Sequence, residues 1–294
     1  MRQPPLDTLV RLVSWGSTLL LLASVATVIG FLVFKGYGGF SLELVFGDTL
    51  PLDALMLRRP VFEGLFPAMV GTLSLVVLAI SLAVPVGLAA GIYMAEYGRG
   101  RVQQALGLFF DILAGVPSIV VGLFGFSVAV FLHRRFGGKV YPCLLISALS
   151  LAFLVLPYLI RTTQSALEAL PEAVRLTAPA LGATRLQNIR FVLLPRALPG
   201  ILNGVILAIG RCAEDTAVIM LTGVVATAGL PRSLFSSYEA LPFYIYYISC
   251  QYHDPAELTS GYAAALILLA ICAMLFAAAA LIKQRLGARS HQRL

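Results

Sequence analysis

Long uncharged runs alternate along the chain with short charged segments. Leu12–Phe34 and Leu65–Ala95 contain no charged residue. Ile112–Leu132 follows Asp111, and Val140–Ile160 comes next. Ala197–Leu230 is apolar apart from Arg211, Glu214 and Asp215, and Leu258–Ile282 is the last run. A helix needs about 20 apolar residues to cross the roughly 30 Å hydrocarbon layer. The pattern therefore predicts six spans, the fifth interrupted by charge. The first run exceeds the apolar core of a signal peptide and no Ala-x-Ala site follows it, which predicts an uncleaved first span.

Composition agrees with the pattern. Of 294 residues, 59% are hydrophobic and 12% charged, with a mean hydropathy of +0.91. A soluble domain carries about 25% charged residues, so a soluble globular protein is excluded. The net charge of +7 is spread singly between apolar runs, which points to topology rather than to nucleic acid. With the N-terminus inside, the inner segments hold Arg99, Arg101, Arg161, Arg175, Arg185, Arg190 and Arg196 as well as the basic termini. The outer segments balance Lys35, Arg58, Arg59, Arg134, Arg135, Lys139 and Arg232 with seven acids. The positive-inside rule then places both termini in the cytoplasm. The four cysteines, Cys143, Cys212, Cys250 and Cys272, have no metal or disulfide spacing. No P-loop and no catalytic His or Ser constellation is present, so the chain reads as neither an ATPase nor another enzyme.

Two loops carry pattern of their own. The outer segment 223–257 is rich in aromatics, among them Phe235, Tyr238, Phe243, Tyr244, Tyr246, Tyr247 and Tyr252, and predicts a short amphipathic helix at the interface. The inner segment 161–196 predicts two short helices. Leu170-Pro171-Glu172 starts the first, Gly182-Ala183 turns the chain, and Thr184-x-x-Gln187 is a capping box for the second. The second is expected to run from Arg185 to about Leu193, with Pro195 and Pro199 ending it and opening the fifth span. In the fifth run, spacings of three and four put Glu214 and Asp215 on the helix face of Arg211. An intramembrane charge is costly, and such residues face a bundle interior or an aqueous path. Pro85, Pro117 and Pro157 are expected to kink their spans.

The inner loop resembles a known element. Leu181-Gly182-Ala183-Thr184-Arg185, followed by Val192-x-Leu194-Pro195, is similar to the EAA loop of ABC importer permeases. That loop reads Glu-Ala-Ala, three residues, Gly, nine residues, then Ile-x-Leu-Pro. Here Leu176-Thr177-Ala178 stand in place of Glu-Ala-Ala, Pro179 follows, and Glu172 lies one turn earlier. The stretch Ala114-Gly115-Val116-Pro117-Ser118 through Gly122 and Gly125 resembles the third span of PstA-type phosphate permeases. Gly71-Thr72-Leu73 through Pro85-Val86-Gly87 and Tyr93-Met94-Ala95-Glu96-Tyr97 resembles their second span, and Leu241-Pro242 with Ile245-Tyr246 their last outer loop. Together these cover roughly residues 65 to 282. Where that family has Arg-Ala-x-Gly-Glu-Thr, this chain reads Arg211-Cys212-Ala213-Glu214-Asp215-Thr216.

The resemblance implies an all-α, type I ABC permease fold of six transmembrane helices with cytoplasmic coupling helices. It implies a first helix and outer loop over 1–64, a permease core over 65–285 with its coupling loop at 161–196, and a tail over 286–294. The implied function is half of the translocation path of an ATP-driven phosphate importer in a bacterial inner membrane, working by alternating access. Implied partners are a PstC-like sister permease, a PstB-like ATPase holding ATP and magnesium, and a PstS-like phosphate-binding protein; the chain itself holds no cofactor or metal. The implied path residues are Arg211, Glu214 and Asp215. The implied ATPase-coupling residues are Glu168, Glu172, Ala178, Gly182, Ala183, Thr184, Leu194 and Pro195, and Pro117, Ser118 and Gly122 carry the third-span signature. Two alternatives stay open: an ABC permease for molybdate, tungstate, sulfate or phosphonate, and a secondary carrier.

Overall fold

Every long apolar run contains a helix. In a computed structural model, described over residues 4–47, 49 and 64–291, six helices are long and apolar enough to cross a membrane. Asp48, Asp53, Arg58, Arg59, Glu63, Arg2 and Arg293, counted in the charge balance, lie outside the described residues. Helix α1 (Pro4–Gly36) is followed by the short outer helix α2 (Leu42–Phe46), which Ser41 caps by accepting a hydrogen bond from the Leu44 N–H at 2.9 Å. Helix α3 (Phe66–Ile92) ends in a wider π-type turn over Tyr93–Tyr97. Then come α4 (Gly100–Ala114), α5 (Ser118–Arg135) and α6 (Leu144–Glu168). The cytoplasmic pair is α7 (Glu172–Ala180) and α8 (Arg185–Asn188). The chain closes with α9 (Leu194–Glu214), α10 (Ala217–Thr222), α11 (Leu241–Gln251) and α12 (Pro255–His291).

Four expectations need correction. The third span does not start at Ile112: residues 112–114 close the separate helix α4, and Gly115 to Pro117 break the chain before α5. Pro117 therefore precedes its span and does not kink it. Its φ of −58° and ψ of 139° lead into α5, and its carbonyl accepts from the Val120 N–H at 3.0 Å. The fourth span begins at Leu144 and runs to Glu168, so Arg161 stands on a helix and not in a loop. The fifth span does not open at the prolines. From Arg185 the helix runs through a π-type turn at Ile189–Leu193, past Pro195 and Pro199, to Glu214. Pro195 and Pro199 give no N–H to the backbone ladder, yet both lie inside this continuous run, Pro195 directly after its π-type turn. Pro85 and Pro157 do lie inside their helices.

Helix α6 is the centre of the bundle, with Leu151, Val155, Leu159 and Ile160 almost fully enclosed by α3, α5 and α9. Lipid is as apolar as leucine, so packing quality rather than water exclusion holds such helices together. Small residues make that packing close. A Cβ on Gly91 of α3 would stand 2.5 Å from Thr163 Cβ and 2.8 Å from the Ile160 carbonyl oxygen of α6. A Cβ on Gly122 of α5 would meet the Ala217 carbonyl oxygen at 3.0 Å, so this signature glycine seats α10 against α5. Gly91→Val is expected to destabilise the protein by about 1–3 kcal/mol, the usual range for overpacking, read as a lower unfolding temperature of the purified protein. Gly16→Val on α1, where a Cβ has no neighbour within 4 Å, should leave that temperature unchanged. Helix α1 stands apart from the core and packs on α12 through Phe31 and Tyr262, whose rings meet edge to face at 5.7 Å.

Candidate translocation and coupling sites

The cytoplasmic segment is a folded unit. Helix α7 ends as its sequence predicts. Gly182 takes a φ of +82°, the left-handed conformation that suits glycine. The Gly182 N–H donates to the Pro179 carbonyl at 2.9 Å and the Ala183 N–H to the Ala178 carbonyl at 3.0 Å, closing the helix in a Schellman turn. Pro179 sits one residue from the helix end and leaves the helix intact. The capping box is present: the Thr184 N–H donates to Gln187 Oε1 at 2.8 Å, and Thr184 Oγ1 accepts from the Gln187 N–H at 3.4 Å. Glu172 is exposed as the first residue of α7, and Glu168 is exposed at the end of α6, where it accepts from Gln164 at 2.8 Å. Leu176, Leu181, Leu186 and Phe191 are also exposed, giving this unit an apolar outer surface. Leu194 and Pro195 are half-buried where the unit joins α9.

Two connections tie the unit to the inner end of α3. Arg175 Nη1 meets Glu96 Oε1 at 2.6 Å, and Arg175 Nη2 donates to the Leu167 carbonyl at 2.5 Å. The Glu96 side chain is only 9% exposed. Arg185 lies over the Tyr97 ring, 4.8 Å from its centroid. Asn188 Nδ2 holds the Arg175 carbonyl at 2.9 Å, and Leu167, Ile189, Leu193, Ala197 and Ile201 fill the space behind. Sequence reasoning placed Arg175 and Glu96 in separate segments. They are 79 residues apart, and no spacing signal joins them.

A second bridge fixes α4. Arg161 grips Asp111 with Nη2 at 2.6 Å and Nε at 2.9 Å, and donates to the Gly107 carbonyl at 2.7 Å. The Tyr158 hydroxyl reaches the Ala114 carbonyl at 3.4 Å. Helix α4 thus runs antiparallel to the inner half of α6. Asp111 is neither a span start nor an isolated interfacial acid.

Of the three charges in the fifth span, the structure brings two together. Arg211 Nη1 and Glu214 Oε1 are 3.3 Å apart, and both residues line a cavity of about 390 Å³ with Tyr158, Leu207, Ala208, Gly210 and Phe276. Asp215 does not share their face. Helix α9 ends at Glu214, and Asp215, with a ψ of 116°, turns away into the protein. There it is buried, and Oδ1 accepts from the Val218 N–H at 2.8 Å, capping α10. Arg211 Nε is buried with no hydrogen-bond partner among the described residues.

The outer surface has a carboxylate that the charge balance had counted only as a loop acid. Glu239 is buried, and its Oε1 accepts from the Ala228 and Gly229 N–H groups at 2.8 and 2.7 Å. Burial pushes its carboxyl pKa up, against the two N–H groups that favour its charged form. The aromatic segment beyond it forms the expected short helix, α11.

Residues 87–288 match the family of binding-protein-dependent transport system inner membrane components. The chain belongs to this family. It is therefore a multi-pass inner-membrane transport subunit and not an enzyme. Membership also implies an ATPase and a substrate-binding protein as partners. The chain is 36% identical over 193 residues to the phosphate transport system permease protein PstA of Yersinia pestis, an alignment covering 65% of this chain and 61% of that protein. It is 34% identical over 225 residues to the PstA 1 protein of Mycobacterium tuberculosis (strain CDC 1551 / Oshkosh), covering 75% of this chain and 70% of that one. Among solved structures, a bacterial ABC transporter involved in the import of the acidic polysaccharide alginate shares the fold with a TM-score of 0.60. That match is 18% identical and covers 91% of this chain and 95% of that chain.

Proposed function

We propose that this chain is a permease subunit of an ATP-driven importer for inorganic phosphate, supplying half of the translocation path. The likeness to proteins named as phosphate transport system permeases carries the substrate. A PstC-like sister permease would complete the path, a PstB-like ATPase would bind and hydrolyse ATP with magnesium, and a PstS-like protein would deliver phosphate from outside. The segment 172–194, with Ala178, Gly182, Ala183 and Thr184 at its corner and Glu168 and Glu172 at its edge, is the docking element for the ATPase. Its motion reaches the spans through Leu194 and Pro195 into α9 and through Arg175 into α3. Pro117, Ser118 and Gly122 shape the break before α5 and its contact with α10. Arg211 and Glu214 face the path, while Asp215 holds the end of α9 in place behind them.

The test is uptake into vesicles holding the complete complex, with the ATPase rate recorded alongside. Wild type is expected to take up phosphate only with ATP and binding protein. Arg211→Gln removes the one cation that lines the cavity among the described residues, and a fall in uptake of at least about tenfold is expected with the complex still assembled, since an intramembrane charge of this kind serves the path. Uptake of molybdate or sulfate in place of phosphate would keep the permease and discard the substrate. Uptake without ATP would discard the coupling role as well.

A further inference from the structure

We infer that Glu214 is a specificity-determining residue, admitting oxyanions that carry an O–H group and turning away those that carry none. The inference rests on the reading of the cavity as part of an anion path. Among the described residues lining that cavity, Arg211 is the one cation and Glu214 the one anion, so their charges cancel. The rest of the wall is mostly apolar, with Leu207, Ala208 and Phe276, and the Tyr158 hydroxyl is turned to the Ala114 carbonyl. Both charged side chains stay open to the cavity: Arg211 is 42% exposed and Glu214 63%. Their separation of 3.3 Å is long for a charge-assisted hydrogen bond, which closes to about 2.7–2.9 Å. Among the described residues this contact engages Arg211 Nη1 and Glu214 Oε1, which leaves Arg211 Nη2 and Glu214 Oε2 to an anion lying beside the pair.

An anion that reaches Arg211 also meets Glu214, because the two groups are neighbours on one wall. An ionised carboxylate can only accept hydrogen bonds. Phosphate and arsenate keep at least one O–H at neutral pH. They can take hydrogen bonds from Arg211 and give one to Glu214, and an O–H donor on a carboxylate makes a short, strong bond. Sulfate, molybdate and tungstate are fully deprotonated. They present Glu214 with a bare negative oxygen, which is repelled and leaves both acceptors unsatisfied. A site built around a substrate O–H strongly rejects an analogue that lacks it. The exposure of Glu214 tempers the effect here through solvent screening.

The experiment uses the complete complex with its sister permease and ATPase in nanodiscs, and measures displacement of radiolabelled phosphate by other oxyanions. On wild type, arsenate should compete in the same concentration range as phosphate, while sulfate and molybdate need at least about tenfold more, well inside the ceiling for such discrimination. Glu214→Gln supplies N–H donors to any oxyanion, so sulfate and molybdate should close that gap. Glu214→Asp keeps the acceptor and should preserve the order. Sulfate competing as well as arsenate on wild type, an unchanged order in Glu214→Gln, or no anion binding at all would overturn the inference. The wild-type order stands as a test even if a variant fails to assemble. ATP-driven uptake with the binding protein, measured on the same preparation, separates the two readings. Phosphate uptake with the wrong competition order sinks only the role of Glu214, whereas absent phosphate uptake sinks the substrate.

Discussion

Arg175→Ala is expected to lower ATP-driven uptake at least tenfold while ATP hydrolysis continues. Arg175 joins α7 to the end of α3 through Glu96 and to the end of α6 through the Leu167 carbonyl. Without it, α7 keeps its own Schellman turn and its neighbour α8, but loses its polar hold on the two helices that form the bundle core. Glu96 would be left as a nearly buried, uncompensated charge. Breaking such a pair from one side costs on the order of 3 kcal/mol, so the single variant should also unfold at a lower temperature. The double variant Arg175→Gln, Glu96→Gln separates the two effects. It removes the stranded charge and should recover much of the stability, because two neutral amides need far less solvation. It should not recover uptake if the bridge transmits motion. Wild-type uptake by Arg175→Ala, with unchanged ATPase coupling, would show that the bridge only stabilises the fold.

Gly182→Asp is expected to uncouple ATP hydrolysis from transport with little loss of folded protein. The φ of +82° costs a side-chain-bearing residue about 1–2 kcal/mol. Aspartate tolerates this region better than most residues. A Cβ at this position has no neighbour within 4 Å, so the change adds charge and bulk to the outer corner between α7 and α8 without disturbing its packing. Gly182→Ala carries the same backbone strain without the charge, and should keep most of the uptake. Equal losses in both variants would move the cause from docking to strain. The readout is phosphate uptake against ATPase rate at matched amounts of assembled complex.

Much of the architecture was legible because the dominant signal is one-dimensional. An uncharged run of about 20 residues has few choices in a bilayer, and every one of the six runs contains a helix of that kind. The cytoplasmic turn was legible for a similar reason. Gly182, Thr184 and Gln187 act on backbone groups within a few residues of themselves, so their spacing carries their geometry. The errors fall where apolarity cannot set a boundary. Ile112 is as hydrophobic as a span residue, yet it closes α4 beside Asp111 and its bridge to Arg161. Pro195 and Pro199 look like helix breaks but lie inside a continuous helical run that absorbs them just after its π-type turn. Asp215 follows Glu214 in sequence, but the end of α9 sends the two carboxylates to different places. The bridges Arg175–Glu96 and Arg161–Asp111 and the buried Glu239 depend on which helices meet, and single-sequence periodicity does not carry that information.

The unbroken run from Arg185 to Glu214 has a mechanical consequence. Its 30 residues amount to a rod about 45 Å long at 1.5 Å per residue. One end stands at the cytoplasmic corner and the other carries Arg211 and Glu214. A rod of that length acts as a lever: a tilt of about 5° about one end carries Arg211 and Glu214 together by roughly 4 Å relative to Tyr158 and Phe276 across the cavity. The π-type turn at Ile189–Leu193 and the clamp at Arg175 lie close to the short end, where a fulcrum belongs. Small rotations imposed below the membrane would therefore be geared up into opening or closing of the charged wall, with no hinge needed inside the lipid.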